Sequence, residues 1–243
     1  MAISSNSIAE LGYYPFEDVR WAYEKLWSAV ASRCDWLPKT LIWSGNPSAL
    51  WSREEFGVSQ TCGWPLITKL GESVRVVGAF RHTTPECASH FYRSVLLGRV
   101  DGTPFDFQGS GWISLIAAIQ GPQEIWRGEV RVSGSHIESL RMLVRGEADI
   151  ASIDSVTLAH LKRIHPEMIA PLFVICNGPL VPCLPIIANR SISEAQLGEL
   201  RQALADSTRD PKNADATSAL FISGFDALEL EDYSSLRDLT PNN

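Results

Sequence analysis

Short valine- and isoleucine-rich runs alternate along this chain with segments that repeat apolar residues every three to four positions, and that alternation limits the folds open to it. Val74 to Phe80, Ile150 to Ile153 and Leu184 to Ala188 read as buried strands. Val19, Ala22, Tyr23, Leu26, Trp27 and Val30 form one unbroken helical stripe. Ser193 stands where an N-cap belongs, ahead of Leu197, Leu200 and Leu204. Thr40 to Trp43 reads as a further short strand, and Asp215 to Ile222 as a last helix. Repeated β-α alternation implies sheets of mostly parallel strands covered by helices, an α/β class. The block from about Thr84 to Pro179 holds its own strand-helix set between Pro- and Gly-rich extended segments, which argues for two lobes.

The richest local feature is Val132-Ser133-Gly134-Ser135-His136. A β-type run from Glu129 ends there in small residues, and a helix begins at once with Ile137, Leu140, Leu143 and Val144 on one face. A helix start of this kind leaves backbone N–H groups pointing outward at the positive end of the dipole, a natural seat for a small anion. A histidine there adds a donor. The same residues also satisfy an ordinary serine-capped turn.

The formal charge of −7 and the absence of Lys/Arg clusters exclude a general nucleic-acid binder. They leave room for a small anion, which local N–H groups can hold without net positive charge. No apolar run approaches the roughly 18 residues that span a bilayer. Met1 to Glu10 lacks the basic and apolar regions of a secretory leader. Five scattered cysteines (Cys34, Cys62, Cys87, Cys176 and Cys183) form no C-x-x-C pair, so they read as free, packed thiols, with no metal site expected. Dinucleotide, Walker, zinc-protease and nucleophile-elbow patterns are all missing, and no cofactor is expected.

Several motifs in order resemble one family. They are Leu11-Gly12-Tyr13-Tyr14, Ser59-Gln60-Thr61-Cys62-Gly63-Trp64-Pro65, Tyr92-Arg93-Ser94, Ser110-Gly111, Ser133-Gly134-Ser135-His136 and Ala148 to Asp154. Over nearly the whole chain they resemble the phosphate/phosphonate-type solute-binding proteins of ABC importers. The resemblance implies a type II periplasmic-binding-protein fold, in which two α/β lobes, each a mixed, mostly parallel sheet with flanking helices, close over a ligand. Lobe one would comprise 1–83 plus 181–243, and lobe two 84–180. It further implies a non-enzymatic role, capture of a phosphate- or phosphonate-like anion in an interlobe cleft, and an ABC permease as partner. The location would be periplasmic if a leader precedes this sequence, and cytoplasmic otherwise.

Carried over by position, the ligand contacts would be Ser110, Gly111, Ser135 and His136 from one lobe, and Tyr13, Thr61 and Trp64 from the other. Trp112 would add an apolar wall. Asp154 would accept a hydrogen bond from the ligand, although as an N-cap it needs no ligand. Tyr13 and Tyr14 alternate, so only one of them faces the cleft. Trp21, Trp27, Trp43 and Trp51 read as packing residues. An enzyme or a ligand sensor for a small anionic metabolite on the same fold is the alternative.

Overall fold

The computed structural model describes residues 7–14, 16–45, 47–100 and 131–239. The chain divides into two units, one of Met1–Thr83, Ala88–Phe91 and Pro182–Ser234, the other of Thr84–Cys87, Tyr92–Val181 and Ser235–Asn243.

In the first unit, strands β1 (Ile8–Glu10), β2 (Phe56–Gln60), β3 (Val74–His82), β9 (Pro185–Asn189) and β10 (Ile222–Asp226) form one sheet in the order β1-β2-β9-β3-β10. β1 and β2 run parallel, while β9 lies antiparallel to both β2 and β3. The sheet is mixed, as expected, but with one parallel pairing and three antiparallel ones rather than a parallel majority. Connectivity gives the reason: the chain leaves this unit just after β3 and re-enters just before β9. β9 thus starts at the sheet end where β3 stops, with Pro185 opposite Ala79.

Helix α1 (Arg20–Ala31) buries the predicted stripe from Ala22 to Val30, with Val19 buried at its N-cap, and packs on α4 (Glu194–Arg209) and α5 (Ala214–Ala219). The indole of Trp27 is buried and donates to the Pro38 carbonyl at 2.9 Å. α4 opens with a full capping box: Gln196 N–H donates to Ser193 Oγ, and Ser193 N–H to Gln196 Oε1.

Three local expectations need correction. Thr40 to Trp43 is not a strand, although Ile42 N–H donates to the Ala9 carbonyl beside β1. The predicted last helix stops at Ala219, because Phe221 takes a left-handed φ of 54°, and the chain then forms edge strand β10. Trp21 is largely exposed rather than packed.

The second unit holds a three-stranded sheet, β5 (Ser94–Arg99) between β6 (Ile150–Asp154) and β7 (Leu172–Asn177), both antiparallel to it. Helix α2 (His136–Val144) packs on β6, and α3 (Ser155–Ile164) follows β6 directly. The short extended pieces β4 (Phe91–Tyr92) and β8 (Val181–Pro182) mark where the chain passes from one unit to the other. Among the described residues no helix is long and apolar enough to cross a membrane.

Candidate functional site

The predicted residues fall into two groups, one on each unit. On the first unit they sit beyond the carboxyl ends of the parallel pair β1 and β2, the edge where ligands enter α/β sheets. The turn after β1 carries Tyr13 and Tyr14 and begins with Gly12, whose missing side chain is filled by an indole. A Cβ there would lie 2.2 Å from the Trp43 ring, so only glycine fits. Alternation then separates the tyrosines. Tyr14 is buried, its ring edge-on to His82 at 6.0 Å, while Tyr13 stays partly exposed.

The turn after β2 meets this one directly. Cys62 Sγ donates to the Tyr13 hydroxyl at 2.8 Å. Thr61 has no exposed surface (0 %), and its groups already serve the turn. Its N–H donates to the Pro185 carbonyl at 3.0 Å and its hydroxyl to the Cys62 carbonyl at 3.3 Å. Trp64, by contrast, presents its ring at 36 % exposure, and its carbonyl takes the Thr68 hydroxyl at 2.7 Å.

Two further polar residues at this sheet end escaped the sequence reading. Glu10 ends β1 as a buried carboxylate that accepts the N–H and the hydroxyl of Ser44, at 2.9 and 2.8 Å. Gln60 ends β2 and is buried as well. A polar residue closing an apolar strand was the available signal, and it was present in both Ile8-Ala9-Glu10 and Phe56 to Gln60.

On the second unit, α2 begins at His136 behind the N-cap Ser135, whose hydroxyl accepts the Glu138 N–H at 3.1 Å. Gly134 supplies the φ of +86° that the turn requires. Ser133 reinforces it, its hydroxyl 2.6 Å from that of Ser139. His136 is half-buried. The nearest acid on this helix, Glu138, is neutralised locally. A hydrogen bond from Arg145, with Arg141 close by, holds its carboxyl below the usual range, which weakens its repulsion of an anion at the helix start. The strand expected before this turn is absent from the described part, since Arg131 to Ser133 has no regular structure and Val132 is 94 % exposed.

Asp154 closes β6 and caps α3 at once, accepting the Thr157 N–H at 2.8 Å with only 4 % of its surface exposed. Ser110, Gly111 and Trp112 lie outside the described residues. None of the five cysteines is in a disulfide.

The sequence itself carries the deciding comparison. Residues 120–233 match the family described as "ABC transporter, phosphonate, periplasmic substrate-binding protein". That stretch, just under half of the chain, is similar to the phosphonate-binding family. The family consists of non-enzymatic substrate-binding components of ABC transporters. No curated protein matches the chain in sequence.

Solved structures agree in fold. One is a binding-protein component of an ABC phosphonate transporter from Pseudomonas aeruginosa. It is 12 % identical, with 96 % of this chain and 84 % of that one covered at a TM-score of 0.73. Another is PhnD1 of Prochlorococcus marinus in complex with methylphosphonate. It is 10 % identical, with 97 % of each chain covered at a TM-score of 0.68. A third, from Xanthomonas citri and bound to ATP, is 14 % identical, with 97 % and 96 % covered at 0.68. The fold is that of a periplasmic binding protein, two α/β units, the first with a mixed sheet and the second with an antiparallel one among the described residues.

Proposed function

We propose that this protein is a solute-binding component that captures a small oxyanion, a phosphonate or a related phosphoryl compound, and delivers it to an ABC permease. The observation that carries this reading is the match of residues 120–233 to the phosphonate-binding family. The stretch includes the glycine-turned, serine-capped helix start at His136. A helix N-terminus with free-facing N–H groups suits an anion, and the imidazole adds a side-chain donor. Ser110 and Gly111 are proposed as a second donor group, with Trp112 as an apolar wall. Tyr13 and Trp64 provide a hydroxyl and an exposed ring on the first unit. Thr61 and Asp154 contribute by holding a turn and a helix start in shape, and Asp154 additionally accepts from a ligand proton.

The similarity to that family supports a periplasmic location. The test is a thermal-shift screen of the purified protein against phosphate, phosphite, alkylphosphonates, sulfate and small carboxylates. Phosphonates or phosphate should raise the melting temperature in a saturable way. Stabilisation by carboxylates alone would overturn the reading.

A further inference from the structure

Gln60 is the last residue of β2, opposite Ile186 of β9, and only 2 % of it is exposed. Its Oε1 is buried with no hydrogen-bond partner among the described residues. The polar groups around it on the same sheet end are engaged. Ser59 Oγ accepts from the Trp51 indole at 3.3 Å, the Thr61 hydroxyl donates to the Cys62 carbonyl, and the Cys62 thiol to Tyr13. Glu10, which ends the adjacent parallel strand, is taken twice by Ser44. Burying a carbonyl oxygen without a donor is costly, and proteins retain such groups chiefly where a function repays them. Leucine or methionine would fill this position without that cost.

We propose that Gln60 is a specificity-determining residue whose side-chain carbonyl accepts a hydrogen bond from the bound compound. This rests on the anion-capture reading and deepens it by naming the chemistry selected. A fully ionised oxyanion offers Oε1 only lone pairs and is disfavoured there. A compound that carries a donor is favoured. The donor has two sources, a P–OH proton retained by the anion itself or an ammonium group on its organic substituent.

The experiment is calorimetric titration of wild type, Gln60→Met and Gln60→Leu with methylphosphonate and aminomethylphosphonate, alongside melting of each ligand-free protein. Both variants should melt no lower than wild type, because an orphaned acceptor has been removed, and should bind at least tenfold more weakly. A loss confined to aminomethylphosphonate assigns the donor to the ammonium group, and an equal loss for both compounds assigns it to P–OH. Wild-type affinity in both variants overturns the proposal, and so does a lowered melting temperature in both, which makes the amide structural. Failure of the wild-type protein to bind either compound overturns the anion-capture reading itself, and this proposal falls with it.

Discussion

The thiol of Cys62 donates a hydrogen bond to the hydroxyl of Tyr13 across 2.8 Å, joining the turns that follow two neighbouring parallel strands. The contact fixes the tyrosine ring in one orientation at the sheet edge where a ligand would arrive. Tyr13→Phe should weaken methylphosphonate binding by about 1 kcal/mol, the net scale of one hydrogen bond. Cys62→Ser should keep wild-type affinity and Cys62→Ala should fall between the two. Calorimetry giving Tyr13→Phe full affinity would remove the hydroxyl from the site.

Asp154 carries two assignments that mutation separates. As the cap of α3 it accepts the Thr157 N–H, so Asp154→Ala should cost about 1–2 kcal/mol in urea unfolding. Asp154→Asn retains a capping oxygen and should lose far less. If Asp154 also accepts a ligand proton, Asp154→Asn lowers affinity while leaving stability nearly intact. An alanine variant as stable as wild type would contradict the capping role.

His82, at the end of β3, is held neutral. Burial pushes its pKa from 6.5 down to about 4, against the weaker opposing pull of the nearby Phe221 and Leu220 backbone. The unfolded chain therefore binds a proton between pH 6.5 and 4 that the folded chain refuses, so stability is full above pH 6.5 and falls as pH drops toward 4. The loss from this one residue should reach about 3 kcal/mol at most. Unfolding free energies measured from pH 4 to 8 should fall less steeply at the acid end in His82→Gln. An identical pH profile in that variant would contradict the assignment.

Gly12→Ala drives a methyl into the Trp43 ring, two of whose carbons stand 2.2 and 2.7 Å from the new Cβ position. The ring cannot retreat freely, since Arg20 stacks over it at 4.8 Å and its indole N–H is held by Glu24. Overpacking of this kind typically costs about 1–3 kcal/mol. A melting temperature equal to wild type would show that the ring yields.

Periodicity made the large elements legible. The α1 stripe, the capped start of α4 at Ser193 and the strands β3, β6 and β9 all followed from spacing and caps, because long apolar patterns leave few alternatives. Strand β10 was not legible. It is five residues long, broken by Ser223 and Gly224, and the absent Gly224 side chain leaves room for the Arg81 guanidinium of the neighbouring strand, a packing demand that no local pattern announces. Trp21 was misjudged because its size suggested burial, while the helix face that carries it turns outward. At the candidate site, the Ser135 cap and the split between one buried and one partly exposed tyrosine came from local rules. The Cys62–Tyr13 contact and the Gln60 side-chain carbonyl, unengaged among the described residues, depend on how two strands align, which only the fold supplies.

His136 carries the central claim, that the start of α2 holds an oxyanion. Titration calorimetry of wild type and His136→Ala with methylphosphonate tests it most directly. Wild type should bind one equivalent, and the variant should bind about 1.5–3 kcal/mol more weakly, the scale of a hydrogen bond to a charged group. Equal affinity in the two proteins would contradict the claim.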